Sequence, residues 1–435
     1  MKYYSTNRQS PEVSLSEAVI KGLAPDRGLY MPERINKLPQ GFFDKIDTMS
    51  FHEISCAVAD AFFGEDIPIE DLHRIVKDTL SFDTPVVKIT DTINSLELFH
   101  GPTAAFKDVG ARFMARMLSY FIKQSGQTED VTVLVATSGD TGSAVANGFL
   151  GVDGIRVVVL YPKGKVSERQ EKQFTTLGQN ITAVEVDGTF DDCQRLVKSA
   201  FLDKELNAKF KLTSANSINV ARFLPQAFYY FHGYAQMKRA GKGNNVVVCV
   251  PSGNFGNITA GLFGFHMGLP VKRFIAANNR NDIFMKYLQS GIYEPKPSIQ
   301  TIANAMDVGD PSNFARILDL YGNDVEKIRK DISAYSYNDD RIRDCIGRVY
   351  KATGYILDPH GACAYMGLEE GLQSGENGIM LETAHPAKFP ESVEPIIGRA
   401  VEVPATLQRF LSGKKQSVEM SSEFGDFKVY LENAL

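Results

Sequence analysis

One lysine, Lys107, lies in a setting that suits an amine nucleophile. The surrounding stretch is LFHGPTAAFKDVGARFM at 98–114, where Gly101 and Pro102 mark a turn. Apolar residues then recur at helical spacing, which predicts that Lys107 lies in the first turn of a helix. The positive end of the helix dipole and the apolar neighbours both disfavour a charged ammonium, and a neutral amine forms a Schiff base more readily. A surface lysine paired with Asp108 is the alternative, so other motifs must decide.

Two turns between a strand and a helix have the composition of anion-binding loops. TSGDTGSA at 137–144 and SGNFGN at 252–257 each contain two glycines, which let a ligand approach the backbone at a helix N-terminus. Their side-chain donors are Thr137, Ser138, Thr141, Ser252, Asn254 and Asn257. Neither loop matches GxxxxGK[ST] or GxGxxG, which disfavours the commonest modes of nucleotide binding. Each loop alone is also compatible with an ordinary tight turn.

A third polar segment, SANSINVAR at 214–222, combines Ser217, Asn219 and Arg222 within six positions. An arginine there suits bidentate binding of a phosphate or carboxylate. A capped helix with a solvated arginine would give the same pattern.

The segment TAHPAKF at 383–389 follows an apolar run, so we expect Thr383 to end a buried strand, where ligands bind in open α/β sheets. His385 and Lys388 are candidates for function, although a turn with exposed charges explains them equally well.

An imine-forming lysine, a glycine-asparagine cradle and a hydroxyl at a strand end together fit one cofactor, pyridoxal 5′-phosphate. In this interpretation Lys107 holds the aldehyde, 253–257 holds the phosphate, and Thr383 faces the ring nitrogen.

The elements that must position these groups alternate between strands and helices. VTVLVA at 131–136, IRVVVLY at 155–161, VVVCVP at 246–251 and GIMLETA at 378–384 predict buried parallel strands. We predict a helical N-terminal region over residues 1–90 and a catalytic region over 91–435 of two interleaved α/β domains, the smaller one at about 110–220. The stretch at 282–350 has few strand signals, and NAMDVGDPSNF at 304–314 predicts an ordered loop.

Composition limits the possible partners. The chain has 435 residues and a net charge of -5 with no basic run, which argues against nucleic-acid binding. Five widely spaced cysteines form no CxxC or metal-ligand cluster, so we expect no metal and a reducing, cytoplasmic compartment. No apolar run approaches the roughly 18–20 residues of a membrane span, and the N-terminal sequence is not typical of a targeting peptide.

Six motifs in order closely resemble those of the threonine synthase family, in its long microbial form. They are HGPTAAFKD (100–108), ATSGDTGSA (136–144), SANSINVAR (214–222), PSGNFGN (251–257), NAMDVGDPSN (304–313) and TAHPAKF (383–389). GLAPDRGLYMP at 22–32 and SVEPIIG at 392–398 extend the resemblance over nearly the whole chain. Asp140 stands where many relatives outside this family carry Asn, and Asp is the form of the long threonine synthases.

The resemblance implies the tryptophan-synthase-β-like fold of pyridoxal-phosphate enzymes (fold type II): two interleaved open α/β domains plus a helical N-terminal region. It implies a lyase of threonine biosynthesis that converts O-phospho-L-homoserine and water to L-threonine and phosphate. It also assigns roles. The Schiff-base lysine would be Lys107; the cofactor would contact Gly253, Asn254, Phe255, Gly256, Asn257 and Thr383; the substrate would contact Thr137, Ser138, Thr141, Ser217, Asn219 and Arg222.

Alternatives of the same fold stay open at this point. A threonine-synthase-like phospholyase would release 2-oxobutyrate, and a threonine or serine dehydratase would not need the phosphate-binding Arg222. A binding module without catalysis would tolerate loss of Lys107, which is present. We expect a monomer or homodimer.

Overall fold

The computed structural model describes residues 1–126 and 130–434, which fold into two compact units of non-contiguous segments. Unit 1 contains Met1 and residues 31–106 and 223–402; unit 2 contains the described residues of 2–30, 107–222 and 403–435. The strands are β1 (Tyr3–Ser5), β2 (Tyr30–Pro32), β3 (Val86–Lys88), β4 (Ile93–Glu97), β5 (Val131–Ala136), β6 (Ile155–Pro162), β7 (Ile181–Asp187), β8 (Lys211–Ser214), β9 (Val246–Pro251), β10 (Arg273–Asn278), β11 (Ile332–Ser336), β12 (Asn377–Glu382) and β13 (Val418–Ser421).

Helices connect and cover these strands. They are α1 (Leu15–Lys21), α2 (Gln40–Lys45), α3 (Phe51–Phe63), α4 (Ile69–Thr79), α5 (Lys107–Gln124), α6 (Asp140–Phe149), α7 (Glu168–Thr175), α8 (Phe190–Leu202), α9 (Lys204–Lys209), α10 (Val220–Phe223), α11 (Ala227–Arg239), α12 (Gly256–His266), α13 (Ile283–Ser290), α14 (Phe314–Leu320), α15 (Val325–Asp331), α16 (Asp339–Thr353), α17 (Pro359–Gly371), α18 (Pro390–Ile397), α19 (Ala405–Leu411) and α20 (Phe424–Ala434). Among the described residues, no helix combines the length and apolarity that crossing a bilayer requires.

The sheet of unit 1 has six strands in the order β11-β10-β9-β12-β4-β3. All neighbours are parallel except β3, which is antiparallel to β4. β9 is a continuous apolar run buried on both faces, and α17 packs against β9, β10 and β12. Met380 pairs with Cys249, so the segments that follow β9 and β12 leave the same edge of the sheet side by side. This edge carries SGNFGN and Thr383.

The sheet of unit 2 has five parallel strands in the order β13-β7-β6-β5-β8. Its core is built from apolar residues of β5, β6 and β7 together with α8 and α20, such as Leu134, Leu160, Leu196 and Phe427. Leu134 pairs with Ser214 across β5 and β8. The loop 137–142 and the segment 215–222 therefore leave one edge of this sheet together.

The predicted alternation of strands and helices is confirmed, with several local corrections. Lys107 is the first residue of α5, within the predicted first turn. Two predictions were wrong in detail. The N-terminal region also contains strands β1, β2 and β3, and β12 ends at Glu382, so Thr383 follows the strand instead of ending it. The stretch 282–350, predicted to have few strand signals, contains the single strand β11.

Candidate active site

Two carbonyl groups of the turn 252–257 accept hydrogen bonds from side-chain amides outside the turn. The carbonyl oxygen of Ser252 accepts from Asn278 Nδ2 at 2.7 Å, and that of Asn254 accepts from Asn313 Nδ2 at 3.1 Å. Phe255 adopts the left-handed conformation (φ 61°) just before α12, a strained state that persists only where the surroundings enforce it. The first N–H groups of a helix have no intrahelical partner, so this turn is suited to an anion.

The predicted ordered loop of NAMDVGDPSN lies directly behind this turn. A Cβ atom on Gly253 would lie 2.7 Å from Met306 Cα and 2.8 Å from the carbonyl oxygen of Ala305. The backbone N–H of Ser312 donates to Asn254 Oδ1 at 2.7 Å. A larger residue than glycine at position 253 would clash with the backbone at 305–306. The side-chain oxygen of Asn254 stabilises the turn by accepting the hydrogen bond from Ser312.

Two tyrosines orient the amide of Asn257. Tyr229 and Tyr230 donate their hydroxyl groups to Asn257 Oδ1 at 2.8 Å and 2.7 Å. Asn257 Nδ2 is buried and has no hydrogen-bond partner among the described residues. Because a buried polar group seldom lacks a partner, this nitrogen is a donor that a bound group would satisfy. Sequence reasoning missed both tyrosines, which lie on α11 with no motif to mark them.

Thr383 is buried beside the segment that leads to Lys107. Its carbonyl oxygen accepts from the backbone N–H of Phe106 at 2.9 Å, and Ala105 and Ala384 form an antiparallel bridge. Lys107 follows Phe106 directly in the chain. The residue just before Lys107 is therefore hydrogen-bonded to Thr383, which is expected to face the cofactor ring.

Lys107 and Arg222 meet through a backbone contact within unit 2. Arg222 is buried; its Nη1 donates to the carbonyl oxygen of Lys107 at 3.2 Å, and its Nε donates to Ala215 at 3.1 Å. A Cβ atom on Gly110, one turn after Lys107, would lie 2.2 Å from the carbonyl oxygen of Arg222. The alternative of a solvated arginine is therefore wrong.

The loop 137–142 is shaped by its own side chains. Thr137 Oγ1 accepts from the backbone N–H groups of Gly139 and Gly142, at 2.9 and 2.8 Å. Gly139 has φ 138°, a conformation that side chains rarely adopt. Thr137 is fully buried by this arrangement, whereas Ser138 and Thr141 are half-buried. Ser138 and Thr141 thus retain access to a ligand, and Thr137 shapes the loop.

Asn219 serves the fold of unit 2. Its Nδ2 donates to the carbonyl oxygens of Val19 (2.9 Å) and Ser214 (3.3 Å), and its Oδ1 accepts from the N–H of Ala221. Both amide hydrogens are thus engaged with the backbone, so this arrangement does not favour the predicted contact of Asn219 with substrate. Ser217, two residues earlier in the same turn, is half-buried.

Two ionisable residues follow Thr383 closely: His385, which is half-buried, and Lys388, which is buried. Burial lowers the pKa of His385 to about 4, and the nearby His100 acts in the same direction. Lys388 is fully buried, with Nζ donating to the carbonyl oxygen of Thr103 at 2.9 Å. The interpretation of Lys388 as an exposed charge is therefore wrong.

The residues of unit 1 fit a phosphorylated cofactor. The turn ends at the N-terminus of α12, whose first N–H groups have no partner within the helix. Asn257 Nδ2 is buried without a hydrogen-bond partner among the described residues, and Gly253 packs closely against Met306. These are the features of an anion cradle.

The chain is similar to known proteins over its whole length. The family model "Pyridoxal-phosphate dependent enzyme" matches residues 84–380, "Threonine synthase N terminus" matches 2–80, and "Threonine synthase, C-terminal" matches 361–429. A threonine synthase of Serratia marcescens is 44% identical over 99% of each chain. The crystal structure of threonine synthase from Escherichia coli covers 100% of each chain with a TM-score of 0.93 at 42% identity. A pyridoxal-phosphate-bound threonine synthase from Brucella melitensis matches with a TM-score of 0.93 at 36% identity, covering 100% of this chain and 99% of that one.

The fold and the matched family model define a pyridoxal-phosphate-dependent enzyme of the tryptophan-synthase-β-like class, as expected. The similarity over the full length and the matches to the two terminal family models identify the family within that class. The chain belongs to the threonine synthase family.

Proposed function

We propose that this enzyme converts O-phospho-L-homoserine and water to L-threonine and phosphate. The observation that carries the proposal is the contact of Arg222 with the backbone of Lys107, at 3.2 Å. The contact supports the proposal because Arg222, the residue proposed to bind the substrate phosphate, lies beside the residue proposed to hold the cofactor. When bound, pyridoxal phosphate withdraws electrons from the substrate amino acid, which makes its Cα and Cβ protons removable.

In this proposal Lys107 both anchors the cofactor and moves protons. Once the substrate amine has displaced it, its Nζ would accept the Cα proton and release it to the bound cofactor before it accepts a proton from Cβ, and it would give that second proton to Cγ after phosphate has left. Water then adds its hydroxyl group to Cβ, the remaining proton of the water goes to the released phosphate, and the first proton returns to Cα. Its position at the start of α5 suits this role, because the helix dipole there favours the neutral amine.

Arg222 and Ser217 hold the substrate phosphate, helped by Thr141, and Ser138 holds the substrate carboxylate. Negative charge grows on the phosphate as the bond to Cγ breaks, so a buried guanidinium stabilises the leaving group most at that moment. Two backbone carbonyl groups fix the guanidinium of Arg222, and such pre-orientation favours catalysis. Gly253, Asn254, Phe255, Gly256 and Asn257 hold the cofactor phosphate, and the neutral Thr383 hydroxyl faces the ring nitrogen.

We also propose a cytoplasmic monomer or homodimer with a small-molecule substrate and no nucleic-acid or membrane partner. All five cysteines are free thiols, which suits a reducing compartment. Light scattering after size exclusion measures the oligomeric state.

The test is product analysis with O-phospho-L-homoserine. Equimolar threonine and phosphate support the proposal; 2-oxobutyrate with phosphate would indicate a phospholyase, and turnover of threonine or serine alone a dehydratase. Lys107→Ala should abolish turnover and the visible absorbance of lysine-bound cofactor. Lys123→Ala, an exposed change on the same helix, should retain both.

Arg222 gets a separate test. Arg222→Gln should lower kcat/KM about a hundredfold or more, the usual scale for a group that stabilises transition-state charge. Arg343→Gln, at an exposed ion pair with Asp340, should leave kcat/KM unchanged.

A further inference from the structure

A strained turn precedes the start of α5. Ala104 has φ 52°, the left-handed region that residues other than glycine seldom adopt, and it is fully buried. Only two residues separate it from Lys107. Such strain persists only where the surrounding structure over-determines it, so something must hold this turn.

Both peptide groups that flank Ala104 are held by one segment, 385–388. On one side, Lys388 Nζ donates to the carbonyl oxygen of Thr103 at 2.9 Å. On the other side, the backbone N–H of His385 donates to the carbonyl oxygen of Ala104 at 3.0 Å. These two peptide groups define φ and ψ of Ala104, and the backbone N–H of Ala104 also donates to the carbonyl oxygen of Gly101 at 3.1 Å, so three bonds together hold the strained conformation.

Of these three bonds, only the one from Lys388 depends on a side chain. Lys388 is 0% exposed, and lysine is almost never fully buried unless its nitrogen has a partner. Lys388 closes a short 3-10 turn, Pro386–Lys388, whose backbone is itself bonded to His385. The carbonyl oxygen of Thr103 is thus held by a side chain whose own backbone belongs to a hydrogen-bonded turn.

We propose that Lys388 is a positioning residue for Lys107: its Nζ holds the left-handed turn at Ala104 through the carbonyl group of Thr103, and so sets where α5 begins. The inference rests on the proposed role of Lys107 as the residue that holds the cofactor. Two backbone hydrogen bonds also join the segments 383–385 and 104–106. The N–H of Phe106 donates to the carbonyl oxygen of Thr383, and the N–H of His385 donates to that of Ala104.

The test compares Lys388→Met, which keeps the length of the side chain without a donor, with the wild type. Loss of a buried hydrogen bond of this kind corresponds to about tenfold weaker binding of pyridoxal phosphate. Binding is measured by titrating the visible absorbance of lysine-bound cofactor. In the cofactor-free protein, hydrogen exchange of the amides at 104–106 should become faster.

The deciding measurement is a rescue. Glycine adopts positive φ without strain, so adding Ala104→Gly to Lys388→Met should restore most of the affinity. Adding Ala105→Gly, one residue along, should restore none. Lys388→Arg, which keeps donors at the end of a long side chain, should fall between wild type and Lys388→Met, and provides a second measure where the methionine variant folds poorly.

Wild-type affinity and exchange in Lys388→Met would overturn the inference, as would equal rescue by Ala104→Gly and Ala105→Gly. A wild-type enzyme that binds cofactor and makes threonine would still support the proposed function in either case. Conversely, a wild-type protein that bound no cofactor would remove the proposed function, while the exchange experiment would still test whether Lys388 holds the turn.

Discussion

The carboxylate of Asp140 accepts a hydrogen bond of 2.8 Å from the side-chain amide of Gln170. Ser167 donates its hydroxyl to Gln170 Oε1 at 3.0 Å, which turns the amide nitrogen toward Asp140. A Cβ atom on Gly139 would lie 2.6 Å from Gln170 Cδ. The acidic residue that distinguishes this loop thus has a structural partner on α7, and Gln170 closes over the backbone of the loop.

We predict that Gln170→Glu raises KM for O-phospho-L-homoserine at least tenfold, because it places two carboxylates in contact at the loop expected to bind the substrate carboxylate. Combining it with Asp140→Asn should restore KM, since the asparagine can donate to the new carboxylate. Steady-state kinetics measure both. Gln173→Leu is the control: this buried amide on the same helix lacks partners among the described residues, so the change should spare KM. An unchanged KM in Gln170→Glu would contradict the prediction.

Asn257 leads to a second prediction. Tyr229 and Tyr230 occupy its Oδ1, so Asn257→Asp would place a carboxylate oxygen where the amide nitrogen now lies. We expect the affinity for pyridoxal phosphate to fall about a hundredfold, through loss of a donor and repulsion of the phosphate.

Comparison with pyridoxal, which lacks the phosphate, makes this test specific. The affinity for pyridoxal should fall much less than that for pyridoxal phosphate, whereas general damage would weaken both equally. Tyr230→Phe should give a smaller loss in the same direction. Asn244→Asp, an exposed change before β9, should alter neither affinity.

Gly361 on α17 allows a stability prediction. A Cβ atom there would lie 1.8 Å from Glu382 Oε2, on the strand that leads to Thr383. Gly361→Ala should therefore lower the free energy of unfolding by about 2–3 kcal/mol, the cost of overpacking a buried site. Gly425→Ala on α20 meets no atom within 4 Å and should instead raise stability by about 0.5–1 kcal/mol. Urea unfolding measures both; similar effects of the two substitutions would refute the steric argument.

The main strands could be predicted because burial on both faces leaves a continuous apolar run. β5 and β9 begin and end where VTVLVA and VVVCVP predict. β13 lacks that signal: it has four residues, none fully buried, and pairs with β7, more than 200 residues earlier. Such pairing depends on tertiary contacts that local periodicity does not encode.

The composition of the motifs predicted which loops carry the polar side chains, but not which atoms each side chain bonds. Asn219 and Arg222 belong to one motif, yet Asn219 bonds the backbone at Val19 while Arg222 bonds the backbone of Lys107. The burial of Lys388 was also hidden, because a lysine between small and aromatic residues is equally typical of an exposed turn. These distinctions depend on partners distant in sequence.

His385 should make stability depend on pH. Its Nδ1 accepts from the backbone N–H of Ala387 at 3.1 Å, its ring packs edge-on against Phe99, and burial lowers its pKa from 6.5 to about 4. The unfolded chain therefore binds a proton at higher pH than the folded chain does. The stability from this neutral ring is fully present above pH 6.5 and is lost as pH falls from 6.5 toward 4.

His385→Asn separates this effect from other titrations, because asparagine also accepts from a backbone N–H at such a position but does not titrate. The difference in unfolding free energy between wild type and variant should fall with decreasing pH, by at most about 1.4 kcal/mol per pH unit, the limit for one proton. Urea unfolding at pH 8, 6.5, 5.5 and 4.5 measures it. A difference that stayed constant over this range would show that His385 takes up its proton equally well in the folded protein, because only a depressed pKa makes acid favour the unfolded chain.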